Sequence, residues 1–222
     1  MTGGSRGIGA AIARRLAADG AVVAVNYVAG ASSADKLVAE LTDKGQKVGA
    51  FRADVSDPAQ THDLVGRVVE TFGGLDILAS NAGVEHFGAL ESITLSDFDR
   101  VFHINVAGQL FAAQAAAAAM TGGGRILLTS SISARIGVYQ HTLYAASKAA
   151  VSAMVLNLAP ELADRGIAIN AIAPGGTATD MATAVAQTRG LLRARTGNPP
   201  YSFPPYSSLA RWSAGVARRA LG

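Results

Sequence analysis

The chain has 222 residues, half of them hydrophobic and 16% charged, with a formal net charge of +3; this predicts one domain with a substantial core. There is no cysteine, which excludes disulfides and thiolate chemistry, and the four histidines (62, 86, 103 and 141) show no metal-ligand spacing. With no cationic–apolar leader and no apolar run long enough for a membrane span, the expectation is a soluble cytoplasmic protein.

In chain order, Thr2-Gly3-Gly4-Ser5-Arg6-Gly7-Ile8-Gly9 runs straight into a strong helix-forming stretch at 10–18. Glycines at 3, 7 and 9 allow a tight turn and close approach to a phosphate, and the helix start behind them offers N–H groups and a positive dipole end. The same glycines also suit a flexible loop or a simple helix entry. Their spacing, Gly-x3-Gly-x-Gly, differs from the Gly-x-Gly-x2-Gly of many dinucleotide folds. Strands are expected at 21–26, 48–52, 75–80, 125–129 and 168–172. Helices are expected at 33–44, from Pro58 to 71, over a long stretch at 96–120, and at 143–163. A turn at Pro174-Gly175-Gly176 follows. Short apolar strands alternating with helices predict an α/β fold, a Rossmann-like doubly wound parallel sheet. Ligands of such sheets sit beyond the carboxyl ends of the strands, where Asn81, Ser131 and Pro174 fall.

Tyr144 and Lys148 stand four residues apart, thirteen residues after Ser131. On a helix that spacing puts both side chains on one face. An ammonium beside a phenol favours the phenolate and lowers its pKa, so that the tyrosine can exchange a proton with a carbonyl or alcohol. A serine hydroxyl from a strand end could hold the same oxygen. The plainer reading is a half-buried tyrosine and a solvated lysine, so the surrounding motifs decide.

Those motifs are TGGSRGIG (2–9), Asp54 in ADVSD, Asn81-Ala82-Gly83, Asn105 in HINVAG, Ser131, Tyr144-x3-Lys148, and Pro174-Gly175 with Thr179. From Thr2 to about Met181 the chain resembles the short-chain dehydrogenase/reductase family. The segments at 72–76, 80–83 and 174–181 are similar to 3-oxoacyl-carrier-protein reductases and fungal hydroxynaphthalene reductases. The resemblance implies that Gly3, Ser5, Gly7, Ile8 and Gly9 line a pyrophosphate, and that Asp54 recognises an adenine amine. Asp54 has an alternative reading as a helix cap before Asp57-Pro58. Asn81-Ala82-Gly83 would pass beneath the adenosine ribose, and Pro174, Gly175 and Thr179 would wall the nicotinamide. Tyr144 would be the general acid/base, Lys148 its partner and the nicotinamide-ribose ligand, and Ser131 the group that positions substrate. Asn105 would hold a water linked to Lys148, or else merely cap a local helix bend. His86 and His141 flank the implied pocket, as substrate contacts or as solvated loop residues.

NAD-preferring members of the family carry an aspartate at the end of the second strand. Here that position reads Asn26-Tyr27, with no acid before Asp35, while Arg6 is free to pair with a phosphate and Ser32-Ser33 to donate to it. NADP(H) is therefore favoured over NAD(H). The implied activity interconverts a small-molecule carbonyl and a secondary alcohol, in a homo-oligomer (dimer or tetramer), with neither nucleic acid nor membrane as partner. The alternative is a non-catalytic remnant that at most binds nucleotide.

Both ends depart from the family pattern. The resemblance implies an apolar strand before Thr2, central between those at 21–26 and 75–80, whose absence is expected to leave neighbouring backbone groups unpaired. The catalytic domain is expected to span 1–181. Residues 182–222 carry six arginines, four of the seven prolines and no Asp, Glu or Lys, so the core is net −3 and this segment +6. The segment reads as a poorly ordered tail, foreign to the family through a shifted reading frame, or as a tether for nucleic acid or anionic membrane.

Overall fold

Strands buried on both faces need apolar side chains on both, and helices must cover them. That logic holds along the residues described by this computed structural model, 1–179 and Met181. The order is α1 (Gly7–Ala18), β1 (Val23–Tyr27), α2 (Ala31–Thr42), β2 (Val48–Arg52), α3 (Pro58–Phe72), β3 (Ile77–Ser80), α4 (Leu95–Phe102), α5 (Gly108–Ala119), β4 (Gly124–Thr129), α6 (Thr142–Ala163) and β5 (Ile167–Ile172). Val23 and Val25 of β1 pack with Ala13 and Ala17 of α1 and Leu37 and Leu41 of α2. Ala24, pointing the other way, meets Phe51 of β2 and Leu64 and Val68 of α3. The third core joins Leu78, Ile126, Leu128, Ile167 and Ile169 of β3–β5 to the alanine face of α5 and Val151 of α6. Tail residues 182–222, and the expectations placed on them, lie outside the described residues.

All strand pairs are parallel, but they form two sheets, β1–β2 and β3–β4–β5. The place between β1 and β3 falls to residues 1–4. Asn26 N–H donates to Met1 O at 2.9 Å and Gly4 N–H to Asn26 O at 2.9 Å, while Thr2 N–H donates to Ala79 O at 3.0 Å. Thr2 makes a single parallel bridge with Ser80. The central position is thus where the sequence places it, and it spans only the carboxyl ends of its neighbours.

The helix expected at 96–120 is broken. Between α4 and α5, residues His103–Ala107 form a π turn. At its centre the Asn105 side chain donates to Val84 O at 2.9 Å and Ser147 Oγ at 3.0 Å and accepts from Val84 N–H at 2.8 Å. A wide turn with outside partners for its side chain is tolerated where a tight one would leave that amide buried and unpaired. Behind it Gly108 lets α5 approach the chain at Val55, because a Cβ there would stand 3.0 Å from Val55 O. At α3, Asp57 is the cap, accepting from Ala59 N and Gln60 N ahead of Pro58. Asp54 is not; its Oδ1 instead binds Ser56 N–H and Oγ–H.

The start of α1 is held against the glycine loop. A Cβ on Gly9 would lie 2.1 Å from Gly3 O and 2.9 Å from Asn81 Nδ2, which donates to the same carbonyl. Gly9→Ala should therefore push α1 off the loop, at about 1–3 kcal/mol for overpacking. The expected fall in Tm is about 3–10 °C by circular dichroism. An unchanged melt would mean that the loop yields without cost.

Candidate active site

The carboxyl ends of the strands bring together most of the residues singled out in the sequence. Gly3 has φ +56, and a Cβ there would overlap Ala82 Cα at 2.8 Å, so the glycine loop lies directly on the 81–83 segment. Thr2 Oγ1 accepts from Asn81 N–H at 3.0 Å and Ala82 N–H at 3.3 Å. Asn26 Oδ1 accepts from Gly3 N–H at 3.3 Å while its amide donates to Ala53 O and Phe51 O. This asparagine is buried, bracing the loop from behind. Arg6 is exposed at the N-cap position of α1, whose first turn carries no acid. The N–H groups of Gly7, Ile8 and Gly9 open that helix with no acceptor inside it. Thr179 closes the opposite side, its Cγ2 lying 3.6 Å from where a Cβ of Gly7 would be. Ser5, beside them, is half-buried, as is Asp54. A bare loop, free helix N–H groups and a first turn without acids fit a dinucleotide pyrophosphate.

At the end of β4 the chain delivers Ser131. Its Oγ accepts from Ser133 N–H, and the backbone on either side is tied to the β5 end. Ser130 N–H donates to Ile172 O and Ile132 N–H to Pro174 O, so Pro174 and Gly175 sit beside the serine. Tyr144 and Lys148, on α6, face the same place. The Ser131 hydroxyl lies near enough to the Tyr144 phenol to favour its ionised form. Lys148 is 2% exposed, and its Nζ donates to Thr129 O at 2.8 Å, lying 5.5 Å from the Tyr144 ring centre. Ser130 is not equivalent to Ser131, since its hydroxyl is spent on Lys148 O and Ser152.

The electrostatics correct one expectation. The Tyr144 pKa is not lowered but pushed up to about 12, by burial first and then by the negative charge of Glu85, with the Ser131 hydrogen bond opposing. Burial draws Lys148 down to about 8, against the Glu85 charge. The ammonium is aimed at a carbonyl rather than at the phenol oxygen, so desolvation outweighs attraction. Asn105 likewise spends its amide on Val84 and Ser147, making it the clamp of the 83–84 loop.

Three participants were not legible as such. Gln109, one turn after Asn105, is buried and grips both ends of the Thr129 peptide, Oε1 accepting at 2.8 Å and Nε2 donating at 3.0 Å. Its polar type on an otherwise alanine-rich helix was the available signal. Glu85 carried none. His141, one of two readings as a solvated loop residue, is 4% exposed and lies 2.9 Å from Glu85 Oε1.

A buried ammonium with a lowered pKa works against folding. The penalty is complete below about pH 8, where the folded lysine is charged, and fades as pH rises towards 10.5, where the unfolded lysine also loses its proton. Lys148→Met should therefore stabilise the protein at pH 7 by on the order of 3 kcal/mol. The carbonyl it leaves keeps Gln109 as donor. Chemical denaturation should show the gap between variant and parent shrinking from about pH 8 and closing only as pH passes about 10.5. A less stable variant would show that the ammonium's contacts outweigh its desolvation.

A sequence model described as short chain dehydrogenase matches residues 1–190. The chain is 47% identical over 186 residues to the short chain dehydrogenase/reductase AacuN of Aspergillus aculeatus, covering 83% of this chain and 70% of that protein. It is 45% identical over 188 residues to versicolorin reductase 1 of Aspergillus parasiticus, covering 84% and 72%. Among solved structures, a short chain dehydrogenase from Burkholderia cenocepacia in complex with NADP superposes with a TM-score of 0.88 at 43% identity, over 97% of this chain and 88% of that one. A blue fluorescent protein from a metagenomic library in complex with NADPH gives 0.86 at 43% identity, over 97% and 87%. With the glycine loop, the Ser131–Tyr144–Lys148 cluster and the parallel sheet already in place, these likenesses establish that the chain belongs to the short-chain dehydrogenase/reductase family of nicotinamide-dependent oxidoreductases.

Proposed function

We propose that the protein interconverts a carbonyl and a secondary alcohol with NADP(H), using Tyr144 as general acid and base. The observation that carries this is the meeting of Ser131, at the end of β4, with Tyr144 of α6, backed by the buried Lys148. When bound, the nicotinamide supplies or accepts the hydride. The chain supplies everything else. Gly7, Ile8 and Gly9 offer N–H groups to the pyrophosphate, Asn81-Ala82-Gly83 give a smooth floor, and Thr179 with Pro174 and Gly175 forms the far wall. Ser131 and Tyr144 together hold the substrate oxygen, and Tyr144 hands over or takes up its proton. Its high pKa keeps the phenol protonated at neutral pH, ready to donate to a carbonyl oxygen in reduction.

The preference for NADP(H) rests on charge. Asn26 points inward at the end of β1, no carboxylate replaces it there, and the Arg6 guanidinium is exposed at the mouth of the loop. The NADP and NADPH complexes of the Burkholderia and metagenomic proteins support the same reading. The exposed Leu95 and Phe98 of α4 and Leu156 of α6 support assembly as a homo-oligomer. A second reading, a nucleotide-binding protein without turnover, is favoured by Lys148, whose ammonium is bonded to Thr129 O and lies 5.5 Å from the Tyr144 ring centre.

Tyr144→Phe should cut reduction of a simple aryl ketone by NADPH at least about 100-fold, the scale of a lost general acid. NADPH affinity by fluorescence titration should stay within about threefold of the parent. Activity near the parent's would remove Tyr144 from the chemistry, and a parent that binds NADPH without turnover would select the second reading.

Arg6→Ala should weaken NADPH binding by roughly tenfold or more, as expected for one lost charge-assisted phosphate contact. NADH binding should be unaffected. Equal affinity of the parent for the two cofactors would refute the charge argument.

A further inference from the structure

His141 is the N-cap residue of α6, one turn before Tyr144, and its ring is held on every side. It stacks on Phe87 with centroids 4.2 Å apart and planes inclined by 7°, and on Tyr144 at 4.5 Å and 14°. Its Nε2 lies 2.9 Å from Glu85 Oε1, close enough for an ion pair though off the line of a hydrogen bond, and Nδ1 has no partner among the described residues. The two loops involved are fastened to each other by the Gly88 N–H bond to Gln140 O at 2.9 Å. Neither Glu85 nor His141 has a task in the chemistry proposed above. A half-buried carboxylate facing a buried imidazole that lies flat on the proton-transferring ring is costly as packing alone.

We propose that Glu85 and His141 form a positioning dyad for Tyr144: the carboxylate fixes the imidazole, and the imidazole, sandwiched between Phe87 and Tyr144, fixes the phenol that points at Ser131. The carboxylate also sets the charge that the phenol sees. Other charged groups around it are Lys148 on α6 and, on α4, Asp97 and Arg100. Asp97 stands 3.7 Å from His86 Nε2, and Arg100 binds the Glu85 backbone carbonyl. Among these, Glu85 is the group that raises both Tyr144 and Lys148. Burial raises Tyr144 first and the Glu85 charge adds to it, so the dyad holds the phenol in place and helps keep it a proton donor.

Two experiments test this. In the first, Tyr144 is followed by NMR of carbon-13-labelled tyrosine at about pH 10.5, with Tyr144→Phe assigning the signal. Glu85→Gln keeps the shape and removes the charge, and should raise the phenolate fraction of Tyr144 at least about threefold. Glu85→Asp, which keeps the charge, should restore the parent fraction. This arm needs no substrate and stands even if the proposed reaction is wrong. The second arm rests on that reaction. With an aryl ketone and NADPH, His141→Phe keeps the flat ring but loses the pairing with Glu85 and should lower kcat by about threefold, whereas His141→Ala loses both and should lower it about tenfold or more, with KM for NADPH unchanged. The dyad is overturned if Glu85→Gln leaves the phenolate fraction unchanged. It is equally overturned if the two His141 variants lose kcat alike, or if KM for NADPH rises in step with the loss.

Discussion

One peptide carbonyl, that of Thr129 at the end of β4, gathers the elements that make the site. It accepts from Lys148 on α6 and from Gln109 on α5, while Gln109 also accepts the Thr129 N–H and donates to Asn105 O in the π turn. Two helices and a strand end thereby meet at one group, each with its polar atoms satisfied inside the core. The arrangement fixes where Lys148 is, and so what it can do. The ammonium is bonded to the main-chain oxygen and lies 5.5 Å from the phenol ring centre, and Tyr144 remains a protonated donor. The lysine's cost in stability and its place in the active site have the same origin, a charge carried into a desolvated space.

The fold was legible because its determinants are local. Strands covered on both faces read as short apolar runs, and the helices between them carry their own stops, Asp57 with Pro58 at one start and Gly73 in the left-handed region at one end. The glycine loop and the Tyr144–Lys148 spacing were legible for the same reason, being set by a turn and by one helical repeat. The break in the helix at 103–107 was not. It depends on Val84 and Ser147, which reach Asn105 from about twenty and forty residues away, and no periodicity in the helix announces them. His141 is a similar case. Its neighbours on α6 say loop, whereas burial comes from Glu85 and Phe87, far off in sequence. The Tyr144 pKa went the other way because a sequence can state that a lysine is one turn away but not that it points elsewhere.

The glycine loop illustrates how much of a binding surface is made of contacts within the protein. Gly3 and Gly9 are required because backbone lies against backbone, loop on the 81–83 segment and helix on loop. Thr2 and Asn26 then brace the loop from the strand side. A surface that must admit a phosphate closely is first pressed flat by its own neighbours, and the space left for a ligand is what remains.

The π turn has a consequence for the gene as well as for the protein. It holds one residue more than an α-turn would, and each residue turns a helix by about 100°. Losing a single codon between 103 and 107 would therefore let the wide turn close into an ordinary α-turn, leaving α4 and α5 in register. The cost would fall on Asn105, whose amide would no longer be presented to Val84 and Ser147. The reading frame and the two helices would survive such a deletion, and the clamp on the 83–84 loop would not. In-frame length change at this point would spare the fold and strike the site.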